Sequence, residues 1–259
     1  MRVLRSTSFR RPLVYLAALA LAAAPSAVRA QTADEVIAKN LQALGGAEKL
    51  KSLKSVRMSG RMTVGPGMEA PMVAEQVRPD RVRMEITVQG LTLVQAFDGT
   101  TGWMINPFQG KRDAERMPDD DVKALREMAD MDGPLVDYKA KGNTVELLGK
   151  EAVDGSEAYK VKVTLKDGET RTYYFDADSW LQVKMESKRM VRGAEQEGET
   201  TFGNFKPVGG LLFPHQIVGG AKGAPQKQTI TVEKIELDPA IDAARFTMPA
   251  AQPAPAPKP

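Results

Sequence analysis

Apolar and polar residues alternate with a period of two over much of the chain, and this pattern predicts β-strands. The alternation is clear at 55–64, 81–88 and 159–165, and it recurs at 172–175, 181–185 and 230–232. Asp167-Gly168 between two such segments predicts a hairpin turn. Because helical patterns do not alternate with the strands, the sequence favours an antiparallel sheet with one apolar and one solvated face over a parallel α/β fold.

Two segments have the helical period instead. The first runs from Ala33 to Leu44, with Thr32 as the expected N-cap, Glu35 three residues later and a double glycine after the end. The second runs from Asp119 to Met131 and begins with three aspartates, which suit the positive end of a helix dipole. Its apolar stripe is explained equally well by core packing and by a lid. The sequence therefore predicts a mainly β fold with two amphipathic helices.

Residues 1–30 have the features of a secretory signal peptide. A basic start is followed by an apolar run at 13–24, and Val28-Arg29-Ala30 places small residues at positions −3 and −1 of a cleavage site. We expect cleavage after Ala30 and location in the periplasm, with ordinary Sec export favoured over the twin-arginine route. We expect a single domain over 31–249 and a disordered Pro/Ala-rich tail at 250–259.

Export changes the electrostatic balance. Residues 1–30 contain five arginines and no acidic residue, so the chain from Gln31 has 31 basic against 33 acidic residues and a net charge of −2 instead of +3. The isoelectric point near 9.0 thus belongs mainly to the leader. This charge gives no support to nucleic-acid binding. No later apolar stretch approaches the ~20 residues of a membrane span.

Residues suited to catalysis or metal binding are few. The chain has no cysteine, which excludes disulfides, thiolate metal sites and a cysteine nucleophile. His215 is the single histidine, and its setting in Phe-Pro-His favours a surface or packing role over that of a base or metal ligand. The aspartates at 119–121 are explained by the helix start, and those at 176 and 178 by a turn. The sequence therefore predicts a protein without catalytic residues, metal or cofactor.

The predicted strands are unusually rich in methionine, a flexible side chain that suits a surface accepting variable apolar partners. An ordinary hydrophobic core would also explain these residues. They are Met58, Met62, Met84, Met104 and Met185.

Three segments resemble the LolA family, the periplasmic carriers of outer-membrane lipoproteins. Arg78-Pro79-Asp80 resembles the R-P-N step that leads into a strand of that family, and 97–108 (FDGTTGWMINPF) resembles its D-G-x-x-x-W-x-x-x-P-F segment. Residues 242–249 (DAARFTMP) resemble its closing strand. The double glycine after the first helix and the segment 209–214 (GGLLFP) are more similar to the broader group of LolA-like lipoprotein-sorting relatives, whose cargo is less well defined.

The resemblance implies an incomplete, strongly curved antiparallel β half-barrel covered by helices (α+β), with an apolar cavity for acyl chains. It implies that Arg78 is a lid latch that hydrogen-bonds the lid backbone, and that Trp103 packs inside the half-barrel. Alternation adds further candidates for the cavity lining, so the full predicted set is Met84, Ile86, Leu93, Trp103 and Ile105.

We derive three hypotheses for function. The first is a periplasmic carrier that binds lipid or the acyl chains of lipoproteins for transfer towards the outer membrane. Its partners would be an acylated lipoprotein or lipid and donor and acceptor proteins of the two membranes, with the carrier as a monomer. The second is an envelope sensor or interaction module that binds a protein partner. The third, a hydrolase, requires a catalytic cleft that no motif indicates.

Overall fold

The structure is a computed structural model that describes residues 31–191 and 193–250. The predicted signal peptide and residues 251–259 of the predicted tail lie outside the described residues. In the described part, no helix is long and apolar enough to cross a membrane.

Thirteen strands of the described part form one antiparallel sheet, in the order β6-β5-β4-β3-β2-β1-β13-β12-β11-β10-β9-β8-β7. Strands adjacent in sequence pair with each other, apart from β6 and β7, and β1 also pairs with β13. The two edge strands, β6 and β7, do not pair, so the sheet stays open. The strands are β1 Ser55–Gly65, β2 Met68–Val77, β3 Arg81–Val88, β4 Leu91–Phe97, β5 Gly102–Ile105, β6 Glu115–Arg116, β7 Thr144–Val153, β8 Ser156–Thr164, β9 Thr170–Asp176, β10 Gln182–Val191, β11 Ala194–Val208, β12 Leu211–Ala221 and β13 Gln228–Leu237.

Within the described residues, three helices accompany the sheet: α1 Ala33–Ala43, α2 Ala47–Ser52 and α3 Asp119–Ala129. Two single turns of 3-10 helix occur at Pro107–Gln109 and Ala243–Arg245. The predicted capping box of α1 is confirmed, since the Thr32 side chain accepts from the Glu35 backbone and the Glu35 side chain accepts from Thr32. Both predicted helices are present, and each is slightly shorter than expected at its C-terminal end. Helix α2 was not predicted, because its six residues are too few to show a helical period.

The helices pack on one side of the sheet, which we call the inner face, and the other side is the outer face. Directly opposed residues of antiparallel strands point to the same face, so the register assigns each side chain. On the inner face, α1 packs on β7–β10 through a cluster that includes Val36, Val161 and Phe175. Helix α3 packs on β3–β5 through Val122 and Leu125, among others. The two helices therefore cover opposite ends of one sheet face.

Between these ends, a third cluster on the inner face joins the middle strands β1, β12 and β13 to α2 and to the segment after α3. Leu53 at the end of α2 packs there with Val56 and Leu211, and Met131 contacts the same cluster. The outcome is an open, curved antiparallel half-barrel with helices on one face. This confirms the fold class predicted from the sequence.

The end of the described chain packs on the outer face. Trp103 Nε1 donates to the Phe246 carbonyl at 2.6 Å, and Met248 contacts the cluster of Val94 and Trp103. Glu75 of β2, only 2% exposed, accepts from Arg57 Nε at 2.9 Å and from Arg245 Nε at 2.8 Å. A buried carboxylate needs such partners, because an unpaired buried charge is costly. These contacts fix the C-terminal segment to the side of the sheet opposite the helices.

Candidate functional site

Four methionines lie side by side on the inner face of β1–β3, and we call them the methionine patch: Met58, Met62, Met72 and Met84. Met58 and Met84 both oppose Ala74 of the central strand β2. Met72 opposes Gly60 on one side and Ile86 on the other, and Ile86 opposes Leu93. Met62 and Met72 are buried, whereas Met58 and Met84 are only partly buried. The patch is thus an apolar surface of adaptable side chains on the concave side of the sheet.

The structure divides the five residues predicted to line a cavity into two groups. Met84, Ile86 and Leu93 lie on the inner face and are partly buried. Trp103 opposes Ala96, and Ile105 opposes Val94, which places both on the outer face with the C-terminal segment. The interpretation of Trp103 and Ile105 as inner residues is therefore corrected.

The reason lies in the hairpin between β4 and β5. Its turn pairs Phe97 with Gly102, so Ala96 pairs with Trp103 and the odd-numbered residues of β5 face outwards. Alternation reveals which residues share a face, but it does not reveal which of the two faces they occupy.

The five methionines noted in the sequence all lie on the inner face, as the strand register shows. Met72 was missed, because Pro71 interrupts the strand pattern around it.

Arg78 follows β2 and holds three parts of the chain together. Its Nε donates to the Leu53 carbonyl at 2.7 Å, and its Nη2 donates to the Leu50 carbonyl at 3.2 Å. Both carbonyls belong to the end of α2. The same guanidinium makes two contacts with the Asp132 carboxylate, at 2.7 and 2.5 Å. Arg78 therefore bonds backbone at the end of α2 and the Asp132 side chain in the segment directly after α3.

The contact is electrostatically favourable for both partners. The hydrogen bond from Arg78 lowers the pKa of Asp132 below its ordinary value, although burial opposes this. The hydrogen bond with Asp132 likewise raises the pKa of Arg78. A bidentate arginine–carboxylate pair is among the stronger charged contacts in proteins. Since Asp132 comes three residues after α3 ends, this pair restrains the C-terminal end of that helix.

The opposite side of α3 reaches the far half of the sheet. Lys123 Nζ lies 2.6 Å from carboxylate oxygens of both Asp167 and Glu169, at the β8–β9 turn. Glu127 pairs with Arg171 of β9. Helix α3 thus packs by apolar side chains on β3–β5 and by ion pairs on β8–β9, and it bridges the open side of the half-barrel.

A cavity of about 670 Å³ lies between α3, the segment that follows it and the β8–β9 turn. Arg171 is at its wall, on the inner face between the cross-strand neighbours Val163 and Ser187. Burial tends to lower the pKa of Arg171, but attraction by Tyr173 and Glu127 outweighs it and raises that pKa above its ordinary value. Burial raises the pKa of Tyr173. The guanidinium is therefore a permanent charge beside the apolar cluster under α1.

Two of the residues considered for chemistry make local contacts within their own segments. His215 is buried on β12, with Nδ1 3.1 Å from the Phe213 carbonyl. Asp176 accepts from both the backbone and the hydroxyl of Ser179, which confirms its turn role. Among the residues that the structure describes, no three histidine, aspartate or glutamate side chains are grouped so as to hold a metal ion.

At the level of sequence, no protein-family model and no curated protein matches the chain. Among solved structures, a DUF1329 family protein from Desulfovibrio piger has a TM-score of 0.58 at 12% identity, covering 84% of this chain and 98% of that one. A LolA superfamily protein from Nitrosomonas europaea has a TM-score of 0.54 at 14% identity, with coverage of 84% and 98%. A putative outer membrane lipoprotein-sorting protein domain from Vibrio parahaemolyticus has a TM-score of 0.53 at 11% identity, with coverage of 81% and 97%. The resemblance to LolA seen in the sequence is thus matched in three dimensions: the chain has the LolA-like fold.

Proposed function

We propose that this protein is an envelope carrier that binds lipid, or the acyl chains of lipoproteins, on the inner face of its half-barrel and performs no chemical step. The observation that carries the proposal is the methionine patch, a continuous apolar surface on the concave face whose members Met58 and Met84 are only partly buried. Apolar side chains that stay partly exposed on a concave face leave surface that an apolar ligand can cover. The same fold occurs in a protein described as a putative outer membrane lipoprotein-sorting domain.

The chemistry of the patch suits acyl chains. Each methylene removed from water contributes about 0.8 kcal/mol, so a chain needs only a smooth apolar surface. Methionine side chains adjust to different chain shapes, because they are unbranched and polarizable. Ile86 and Leu93 extend the patch towards β4. The three inner residues predicted from the sequence, Met84, Ile86 and Leu93, therefore remain our proposed binding residues.

In this proposal α3 acts as the lid and Arg78 as its latch. Access to the inner face requires α3 to move, since it bridges β3–β5 and β8–β9. Arg78 opposes that movement through Asp132, and it holds α2 at the same time. Breaking the Arg78–Asp132 pair would free the C-terminal end of α3.

We further propose that the chain is exported, that its signal peptide is cleaved after Ala30 and that residues 31–249 act as one domain in the periplasm. Donor and acceptor proteins of the two membranes would load and unload it. Purification from the envelope followed by N-terminal sequencing tests the first part, with Gln31 as the expected first residue.

The binding test uses the mature protein purified from the envelope. Native mass spectrometry is expected to detect a stoichiometric acylated species, and solvent extraction is expected to release it. Met84→Glu places a charge in the patch and should reduce occupancy and binding of a fluorescent fatty-acyl probe at least about tenfold, since burying an unpaired carboxylate is costly. Thr87→Glu is the matched control, because Thr87 is on the same strand but on the outer face.

The outcomes separate the two leading hypotheses. Equal loss of binding in both variants would indicate general destabilisation, and circular dichroism would verify it. A wild-type protein that carries no lipid and rejects the acyl probe would refute the carrier. The alternative, a sensor or interaction module, would then be tested by pull-down of a protein partner.

A further inference from the structure

The cavity beside α3 differs from the methionine patch in its chemistry. Its wall combines apolar groups of Pro134 and Leu165 with charged side chains of both signs. At about 670 Å³ it lies within the range of small-molecule sites, about 300–1,000 Å³. Its charged lining side chains are five carboxylates and five cations, with Arg171 among the cations.

Arg171 is placed differently from the other charges of this cavity. It is on the inner face of the sheet, its side chain is 15% exposed, and the next inner residue of its strand is buried Tyr173. A cation in that position is stable only when it is paired. Its carboxylate partner is Glu127, which belongs to α3 and not to the sheet. Any movement of α3 that opens the inner face therefore also removes the counter-ion of Arg171.

The two walls of the cavity carry opposite charge. Helix α3 contributes three carboxylates and two cations, a net charge of −1. The β8–β9 side contributes Lys166, Arg171 and Asp167, a net charge of +1, and the ion pair of Lys141 with Asp130 adds no net charge. Displacement of α3 also takes Lys123 away from Asp167 and Glu169, so the group that favours an anion is Arg171 itself and not the wall as a whole. The planar guanidinium of Arg171 matches the geometry of a phosphate, to which it can donate two hydrogen bonds.

We propose that this cavity binds the phosphate head group of an acylated ligand, with Arg171 as the contacting residue in place of Glu127. The inference rests on the proposed function, which supplies the acyl chains on the inner face. It deepens that function by naming the class of ligand: a lipid with an anionic phosphate at its head. The uncharged Leu165 and Pro134 border the site and fit the first methylenes below the head group.

The test compares two probes with the same palmitoyl chain, lysophosphatidylglycerol with a phosphate and monopalmitoylglycerol without charge. We expect the mature wild-type protein to bind the phosphate probe about tenfold more tightly than the uncharged probe. This is the affinity ratio that one charge-assisted hydrogen bond provides. Arg171→Gln should abolish this preference and leave the affinity for monopalmitoylglycerol within about twofold. Arg61→Gln is the control, because Arg61 is an exposed arginine on the outer side of β1.

A second variant guards against misfolding. The exchange Glu127→Arg with Arg171→Glu retains an ion pair between α3 and the sheet but moves the cation to the helix. It should fold, bind monopalmitoylglycerol and show no preference for the phosphate probe. Equal loss of both probes in Arg171→Gln and in the exchange variant would mean that Arg171 is structural, and it would overturn the proposal.

The remaining outcomes are distinct. Inorganic phosphate that competes as well as the phosphate probe would reveal a site for the free anion, which would overturn the lipid assignment. Binding of both probes with equal affinity by the wild type would overturn this inference and leave the carrier standing. Binding of neither probe would refute the carrier and this inference together.

Discussion

Replacing Arg78 with methionine removes four hydrogen bonds while preserving much of the apolar stem of the side chain. Two of these bonds go to the Asp132 carboxylate, and two go to the Leu50 and Leu53 carbonyls. The side chains of Arg78 and Asp132 are 26% and 18% exposed. The pair is therefore intermediate between an exposed ion pair, which contributes about 0–1 kcal/mol, and a buried one, whose disruption costs about 3–5 kcal/mol.

We expect Arg78→Met to lower the free energy of unfolding by about 2–3 kcal/mol, measured by urea denaturation at pH 7. The control is Arg61→Met, which breaks the exposed pair of Arg61 with Glu69 and should cost no more than about 0.5 kcal/mol. Adding Asp132→Asn in a double-mutant cycle isolates the pairwise part of the effect.

The pH dependence gives a second, independent readout. Because Arg78 lowers the folded-state pKa of Asp132, this carboxyl stabilises the protein above its unfolded-state pKa, and the contribution is lost as the pH falls through the depressed folded-state value. The difference in stability between wild type and Arg78→Met should therefore shrink below about pH 4. A difference that stays constant down to pH 3, or a cost equal to that of Arg61→Met, would refute the reasoning.

Three further predictions concern the outer face and the seat of α3. Trp103→Phe should lower the free energy of unfolding, measured by urea denaturation, by about 1 kcal/mol because the hydrogen bond to Phe246 is lost. It should leave the affinity for the acyl probe within about twofold because Trp103 faces outwards, and a larger loss of affinity would contradict that placement. Glu75→Gln should lower the free energy of unfolding by about 2–4 kcal/mol and increase proteolysis near the C-terminal segment, since it removes the charge that pairs with two arginines. An unchanged digestion pattern would argue against this anchoring role. Gly102→Ala should lower the free energy of unfolding by about 1–3 kcal/mol and speed release of the acyl probe, because the added Cβ would lie 2.5 Å from a Val122 methyl of α3. Unchanged stability and release rate would show that α3 adjusts freely.

Local features of the fold were readable from the sequence because their causes are local. The period-two pattern defines strands such as β1 and β3, and the Thr32–Glu35 capping box marks the start of α1. The three aspartates mark the start of α3. The short helix α2 was not predicted, since six residues carry too little periodicity. An element can therefore be predicted from the sequence when the contacts that stabilise it lie within that element.

The site was predicted only in part. The residues Met84, Ile86 and Leu93 share a face as alternation indicated, whereas Trp103 and Ile105 lie on the other side. A strand pattern is unchanged when the strand is turned over, so the choice between faces depends on hairpin register and on what covers each side. In this protein the C-terminal segment covers the outer face beside Trp103.

The sequence by itself determined the strand-rich class, the two longer helices and the apolar character of one sheet face, because each follows from periodicity or from contacts a few residues apart. Only the tertiary structure paired β1 with β13, brought Arg78 to Asp132 and placed Glu127 against Arg171. These contacts join residues 44 or more positions apart. Their partners are selected by the curvature of the whole sheet and by the position of α3 across it, which no local pattern encodes.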